Sequence, residues 1–591
     1  MVKRKWLIRL KMVFFAVLLV SPVIFGPDFC YAASEDGADE DSRMAMDIEQ
    51  NIMSKRAKSP VIQMKQTVES QIPKPILPSG KTLIQEINVV GSTLLAQEAI
   101  DKIKKDYENK ELTGRQMQKV ADLVTRAYSR EGYITSYGYL DTSDLSSGVL
   151  VIKVAEGKTG SITIQGNKYF STKLIRKKIT LKEGGYFNFN DLNIDIFRLN
   201  KHADLKASIV CDPDVKTGIT DVVINVKDKS PLHVMLQVDN YGSEYILQNR
   251  YKTFFIHNNL TGHDDTYTIK LQRTEADAHQ LYDMEYVIPI NNKLKFDFYY
   301  MPYKVEDYYY ADNEQTDFEK HARKFYFYFN HAVIDKPGVS LNQLFGFKYF
   351  DIHWYTGGGD RDWESSFKED RFRSVWWQLD LNRADRYGRW IVSNAIEKGI
   401  PGMWGGSPRK SDQTSVNGGG NGYWKENLYI ARRQKLVAGI DFIGKMRMQL
   451  SSQSQPGVNV FGLGGFMGVV DNRGYPRAQA PGDSGIAFTS GFSMPPFGVS
   501  KSLKVPFSKT NLYDAVKFFT FYDWGRAELR NPGANEQKVT TLGSAGCGVT
   551  VSVPDKNLSM RLDIGWPVTS TIPKDQSDHS PNFWWAITKV F

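Results

Sequence analysis

The chain has 591 residues, of which 41% are hydrophobic, 13% aromatic and 24% charged, with three cysteines and a formal charge of +9. The 30 Tyr, 33 Phe and 12 Trp exclude a chain disordered throughout, and three Cys exclude a disulfide framework. Past the N-terminal region no segment offers about 18 consecutive apolar residues, which excludes a bundle of membrane helices. A membrane β-barrel stays open, because its strands are apolar only at alternate positions. The length exceeds one ordinary hydrophobic core, so several domains are expected.

Residues 1–33 read as a signal peptide. Lys3, Arg4, Lys5, Arg9 and Lys11 precede the short apolar stretch Met12–Phe25, and Ala32 and Ala33 offer a cleavage site. A membrane anchor would need a longer run, unbroken by Pro22 and Gly26. Cys30 suggests a lipoprotein site, but Pro27-Asp28-Phe29 before it lacks the small apolar residues such a site needs. Cleavage removes five basic residues and Asp28, lowering the charge from +9 to about +5, so the basicity gives little reason to expect a nucleic-acid partner. Cys211 and Cys547 remain and are expected as free thiols.

Residues 34–57 carry Met44, Ile48, Ile52 and Met53 at helical spacing, which predicts a short amphipathic helix over about residues 41–57. A tail with a marginal helix fits the same spacing. Residues 58–80 contain Pro60, Pro73, Pro75 and Pro78 among polar residues and read as an extended linker.

Residues 81–156 read as strand, helix, helix, strand, strand. Leu83–Val90 is a β-rich run closed by Gly91. Met117, Val120, Ala121, Val124 and Tyr128 form the stripe of a half-buried helix, which Gly132-Tyr133-Ile134 stops while opening a strand. The pattern repeats over residues 157–229. Ser161–Gly166 echoes Glu86–Gly91, Leu192, Ile196 and Leu199 stripe a helix, and Leu205–Cys211 and Thr220–Val226 supply two strands. Two tandem α+β units of roughly 75 residues are expected.

From residue 230 to 591 the helical stripes vanish and segments of about ten residues alternate. Leu294, Phe296, Phe298 and Tyr300 alternate with Lys295 and Asp297, and Phe325, Phe327 and Phe329 with Tyr326 and Tyr328. Such alternation suits a barrel with lipid outside and water inside, although a soluble sandwich has the same period. Export, the dense aromatics and the length of this region favour the barrel, and at about 22 residues per strand it holds about 16 strands. The glycine-rich 399–422 region reads as a long surface loop. The expected fold is therefore mainly β, with a C-terminal transmembrane antiparallel barrel. At the end, Phe583, Trp585, Ile587 and Phe591 fall at even steps, with Lys589 the one polar residue on that face. A last strand finishing in Phe is similar to the terminal signal of bacterial outer-membrane barrels, which implies contact with the barrel-insertion machinery.

Several ordered motifs resemble the two-partner secretion transporters, the haemolysin and filamentous-haemagglutinin secretion/activation family. Phe461-Gly462-Leu463-Gly464-Gly465, Asn472-Arg473-Gly474-Tyr475 and Gly482-Asp483-Ser484-Gly485 resemble its hairpin folded into the lumen, and Phe521-Tyr522-Asp523-Trp524-Gly525 its F-x-D-x-G strand. Gly132–Ser136 and Val154–Gly157 resemble its first periplasmic POTRA domain, and Asp239–Gly242 and Asn258–Asp265 its opening barrel strands. Asn472 departs from the Val usual before Arg-Gly. The resemblance implies two POTRA domains, an outer-membrane location with those domains in the periplasm, and a secreted exoprotein partner bearing an N-terminal secretion domain. It also implies outer-membrane lipid around the barrel and a pore-plugging role for the N-terminal helix. The lumen-loop residues are Arg473, Gly474 and Tyr475, and the wall residues are Phe521, Asp523 and Gly525. A related barrel-assembly factor and a passive porin are the rival readings. The first usually carries more POTRA repeats, and the second has no need of any.

Physical chemistry sets a demand on the same residues. A guanidinium inside a barrel wall loses hydration and needs a carboxylate, and Arg with Asp can meet in a two-pronged bridge. Catalysis is not expected. Gly482–Gly485 resembles the nucleophile segment of trypsin-like proteases, but Ile486-Ala487 follow where Gly-Pro belongs, and no His–Asp context supports a triad. The nine His and the remaining Cys show no metal-ligand spacing, and no phosphate-binding glycine loop occurs, so neither metal nor cofactor is expected.

Overall fold

The computed structural model describes residues 62–65, 77, 79–141, 145–242, 248–274, 279–311, 314–358, 368–466, 470–533, 536–572 and 580–591. The expected signal peptide and amphipathic helix lie outside the described residues, as does most of the expected linker.

In the first domain β2 (Lys81–Ile84) pairs with β4 (Lys110–Thr113). A separate three-stranded sheet has the order β3 (Glu86–Val90), β6 (Val149–Ala155), β5 (Tyr137–Asp141). Helices α1 (Gln97–Tyr107) and α2 (Gly114–Arg130) complete it. Thr113 and Gln116 form a capping box that starts α2, satisfying backbone donors the first turn leaves open. The expected stripe from Met117 to Tyr128 is buried against Ile84, Ile87, Leu150 and Ile152.

The structure departs from the sequence reading twice here. Leu83–Val90 is two strands, because the chain changes partner at Gln85, whose N–H donates to the Gly148 carbonyl at 2.9 Å. Residues 132–136 open no strand, since β5 starts at Tyr137. They build the joint to the second domain instead. Gly132 has φ 94°, and a Cβ there would lie 2.6 Å from Asn188 Oδ1. Phe189 N–H donates to the Gly132 carbonyl at 2.9 Å, and Gly157 N–H donates to Ser136 Oγ at 3.0 Å.

The second domain is a four-stranded sheet of order β1 (Ile62–Met64), β8 (Leu205–Asp214), β9 (Ile219–Asp228), β7 (Lys158–Gln165), with α3 (Thr172–Lys177) and α4 (Phe189–Lys201). Three residues of the expected linker are therefore strand. Leu192, Ile196 and Leu199 of α4 pack on Ile209, Cys211 and Ile224. Cys211 is a free, buried thiol that burial pushes up to about 12, which leaves it unreactive, and Cys547 is free and exposed.

Sixteen antiparallel strands among the described residues, β10 (Leu232–Asp239) through β25 (Asn582–Val590), close into a barrel. Its faces are inverted relative to a soluble protein. On β14 (Leu294–Ala311), Phe298 is 40% exposed on the outside, while Asp297 and Tyr299 are buried inside. On β15 (Glu314–Lys336), Phe329 is 44% exposed and Lys324 is buried. A soluble sandwich would bury the Phe face, so this pattern settles what the period alone left open. β25 turns Trp584 inward and buried, with Phe583 on the opposite, exposed face. The seam between β10 and β25 pairs Met235–Asp239 with Ala586–Val590. Asn240 extends it, since its Oδ1 accepts from Trp585 N at 2.7 Å and its Nδ2 donates to the Phe583 carbonyl at 2.7 Å. The loop over residues 400–423 is packed rather than freely solvated. Its Asn421 is fully buried and donates to the carbonyls of Ile400 (2.6 Å) and Arg373 (3.1 Å).

Turns at one rim hold the second domain. Lys178 pairs with Asp264, and Lys201 Nζ lies 2.8 Å from Asp335 Oδ1. His233 Nε2 and Asn258 Nδ2 each lie 2.8 Å from the Asp204 carboxylate.

Glu156 organises the first domain. It accepts from the N–H groups of Thr93 (2.7 Å) and Leu94 (2.9 Å) and from Tyr128 Oη at 2.7 Å. Burial pushes its carboxyl up, but the Thr93, Tyr128 and Leu94 hydrogen bonds outweigh that and hold it below the ordinary value. A lowered folded-state pKa contributes stability above the ordinary value of about 4.3, lost as pH falls through the folded value. Glu156→Gln is expected to cost the first domain about 1–2 kcal/mol at pH 7 and to flatten its stability profile below about pH 4.5. Urea unfolding of the full chain in micelles, followed over pH, measures both.

Candidate functional site

The site forms where the connection between β20 (Asp441–Ser451) and β21 (Ser484–Met494) enters the barrel from the rim opposite the second domain. Within it Leu463 pairs with Ala480 and Gly465 with Asn472, so the chain re-enters as an irregular hairpin. Asp483 clasps its base. The carboxylate accepts from Gln455 N at 2.6 Å and Arg530 N at 2.7 Å, which gives the Gly482–Gly485 segment a structural task.

At the tip Arg473 is 2% exposed, and Asp523 of β22 (Val516–Glu528) is 0% exposed. Nη2 meets Asp523 Oδ1 at 2.8 Å, and Nε meets Oδ2 at 2.9 Å, the two-pronged bridge. The Arg473 backbone N–H adds a third bond to Oδ2 at 3.1 Å. Phe521, two residues before Asp523 on the same face, lies under the guanidinium, its ring centroid 3.3 Å from Cζ.

A second carboxylate completes the site. Nη1 of Arg473 donates to Asp563 Oδ1 at 2.9 Å, from β24 (Leu558–Ser570), and Arg561 Nε meets Asp563 Oδ2 at 2.7 Å. The sequence reading did not include Asp563, yet a signal is present. Asp563-Ile564-Gly565 repeats the D-x-G spacing of Asp523-Trp524-Gly525. Two residues apart on a strand, carboxylate and glycine share one face, so each motif offers an anion beside a gap. Gly565 fits the tip, since a Cβ there would lie 2.5 Å from the Arg473 carbonyl carbon. Gly525 fits Leu463, at 2.4 Å to its nearest side-chain carbon.

The tip backbone is satisfied by the wall. Trp584 Nε1 donates to the Arg473 carbonyl at 2.8 Å, and Asn582 Nδ2 to the Gly474 carbonyl at 2.7 Å. A Cβ on Gly474 would meet Ser544 Cβ at 2.6 Å, so the loop lies directly on β23 (Val539–Val553). Tyr475 Oη donates to the Thr569 carbonyl at 2.7 Å. Asn472, where the resembling family has Val, donates through Nδ2 to the Leu542 carbonyl at 3.0 Å, which gives the Asn a polar anchor. Phe466 from the same loop stacks on Tyr241 at 4.1 Å, and both pack with Trp584 beside the seam. The structure thus brings Arg473, Gly474 and Tyr475 together with Phe521, Asp523 and Gly525. Phe583 and Phe591 stay on the exposed surface at the other face of the wall.

Comparison with known proteins matches three family profiles in order along the chain. Residues 82–157 match the POTRA domain of ShlB type, and residues 158–229 match POTRA, surface antigen variable number repeat. Residues 218–342 match the haemolysin secretion/activation protein ShlB/FhaC/HecB. The chain belongs to this haemolysin secretion/activation family. It is 20% identical over 495 residues to the outer membrane transporter CdiB of Dickeya dadantii (strain 3937), covering 82% of this chain and 83% of that one. It is 26% identical over 212 residues to CdiB of Escherichia coli O6:K15:H31, a match spanning only 36% of that relative and 34% of this chain. The solved structure of CdiB from Escherichia coli covers 97% of this chain at a TM-score of 0.72 and 17% identity, a shared fold. The barrel is an outer-membrane barrel, and the two α+β units are periplasmic POTRA domains.

Removing the guanidinium strands Asp523 in the wall. Arg473→Ala is expected to cost the loop–barrel contact about 3–5 kcal/mol. Arg473→Lys, which keeps the charge but loses the fork, is expected to cost less. Gly565→Ala is expected to cost about 1–3 kcal/mol by overpacking against the tip. The temperature at which each variant loses its compact mobility on SDS gels ranks them.

Proposed function

We propose that this chain exports a partner exoprotein across the outer membrane by two-partner secretion, as a conduit with no catalytic step of its own. The observation that carries the reading is the loop tip held in the barrel lumen by one buried guanidinium shared between Asp523 and Asp563. A passive porin, by contrast, has no need of the two POTRA domains that precede this barrel. The tip is fixed by contacts that a lateral or rotational shift would break together, which suits a loop whose position gates passage.

Two other observations support the same reading. The POTRA domains place open-edged sheets on the periplasmic side, and such edges bind extended chains through backbone hydrogen bonds. The seam between β10 and β25 is zipped and extended by Asn240, which favours passage through the lumen over lateral release of a barrel strand. The relatives' names supply the class, outer membrane transporter. The cargo is read as a large haemolysin- or adhesin-like protein with an N-terminal secretion domain. The terminal residues Phe583, Trp585, Ile587 and Phe591 are read as the signal for the barrel-insertion machinery, and the exposed aromatic belt as the lipid contact.

Deleting the gene and comparing secreted proteins tests the proposal, with one large exoprotein expected to disappear and general barrel assembly expected to stay intact. Complementation with Arg473→Ala or Asp523→Ala is expected to restore an inserted barrel, because the strand ladder is untouched. Export should nevertheless fall about tenfold or more, the change that about 1.4 kcal/mol of bias in loop position produces. A broad loss of outer-membrane barrels in the deletion strain would favour an assembly factor instead.

A further inference from the structure

The connection from β21 to β22 lies on the second domain's rim, flanked there by the 436–440 and 554–557 turns. It is much longer than either, running through residues 495–515. Pro495 and Pro496 are buried at its root. A Cβ on Gly439 would lie 3.6 Å from both Pro495 Cγ and Tyr513 Oη, so the root packs on the 436–440 turn. Beyond the root two arms form a small hairpin. Leu512 N–H donates to the Leu503 carbonyl at 2.7 Å, and Val505 N–H to the Thr510 carbonyl at 3.0 Å. The Asp555 carboxylate of the 554–557 turn clasps the far end. It accepts from Lys509 N–H at 2.8 Å and from the hydroxyls of Ser508 and Thr510. The hairpin is therefore drawn along the rim toward the β23–β24 turn and stays at the wall instead of crossing the lumen.

Its tip turns apolar groups outward. Phe507 is 91% exposed and has φ 59°, a left-handed backbone that bulky residues rarely adopt. Such strain persists only where surrounding bonds impose it, and the Asp555 clasp on the next three residues does so. The clasp thus holds an aromatic ring out of the protein. Phe497 and Leu503 of the same connection are also exposed, as is Val437 on the adjoining turn. One exposed apolar residue needs no explanation, but four on two packed connections make a patch. Phe492 of β21 and Phe518 of β22 are exposed on the outer face of the wall, so the lipid-facing surface continues down into the loop.

The charges select the occupant. Residues 495–513 contain Lys501, Lys504 and Lys509, all exposed, and no acidic residue. Apolar side chains flanked by lysines partition to a membrane interface, the rings among acyl chains and the ammonium groups at phosphates. We propose that this connection is a membrane anchor: Phe507 and Leu503 enter the periplasmic leaflet, and the three lysines bind anionic phospholipid headgroups there. The anchor requires the barrel to lie in the outer membrane, but it is independent of the export reading.

A fluorophore beside Phe507 in the full chain tests it. Cys30→Ser and Cys547→Ser leave Cys211, which is buried, as the one native thiol, and Pro506→Cys supplies the position for an NBD label. The labelled chain is reconstituted in nanodiscs of phosphatidylcholine alone and of equal parts phosphatidylcholine and phosphatidylglycerol. In the mixed discs the label is expected to be quenched by lipid carrying a nitroxide on its upper acyl chain, and to be shielded from aqueous iodide. Phe507→Ser should lower the insertion equilibrium about tenfold there. The combined Lys501→Gln, Lys504→Gln and Lys509→Gln variant should also lower it about tenfold in the mixed discs, and leave it unchanged in the neutral ones. Compact mobility on SDS gels shows that each variant keeps its barrel.

Iodide quenching without nitroxide quenching in the mixed discs overturns the proposal. So does insertion that ignores the lysine substitutions. Shielding from both quenchers puts the loop against protein, a second copy or another domain, and overturns it as well.

Discussion

One buried cation governs the C-terminal half of the molecule. The Arg473 guanidinium is enclosed by the wall, where an uncompensated charge costs several kcal/mol, and the Asp523 and Asp563 carboxylates are equally enclosed. Each charge is tolerable only because the other is in place. A loop carrying the cation and strands carrying the anions therefore define one docked position, and neither half is well solvated without it. The glycines follow from this constraint. Close approach of the tip to the wall requires Gly474, Gly525 and Gly565 to lack side chains, because a Cβ at any of them would come within 2.7 Å of a neighbour.

The same constraint explains why so polar a chain forms a membrane barrel. Lys252, Lys270, Asp283, Asp297, Lys320 and Lys324 are buried inside, whereas the large apolar groups Leu236, Tyr251, Phe255 and Phe298 are exposed. Averaging a wet interior with a lipid-facing belt gives a composition that resembles a soluble protein. The distribution is informative where the mean is not. Closing the sheet satisfies every strand edge, and in hydrocarbon no other arrangement of strands could.

Much of this was legible in the sequence, and its failures have physical causes. The stripe from Met117 to Tyr128 buries as a helix period predicts, since local periodicity and packing agree there. The alternation of Phe327 with Tyr328 located a strand but not its environment, because lipid and protein core impose the same period. Leu83–Val90 looked continuous because both halves are β-prone, and the break at Gln85 comes from distant partners rather than local preference. Gly132-Tyr133-Ile134 looked like a strand opening, yet the task of Gly132 is to let another domain approach, which depends on Asn188 far along the chain. Asp563 was overlooked for a related reason. Its role is set by a residue 90 positions away, and only the repeated D-x-G spacing hinted at it.

The contacts form a gradient from the barrel outward. The tip is held by buried, multiply bonded charges, which are costly to separate and so favour two discrete positions over gradual drift. The second POTRA domain is tied to the rim by pairs of intermediate burial, such as Lys201 (52% exposed) with Asp335 (10%). The linker strand is held by a few backbone bonds and a solvated pair. A ligand shifts an equilibrium only by its differential affinity for the two states. The cost of opening therefore rises from the linker strand to the latch, because the strength of each contact follows from how far its charges are removed from solvent.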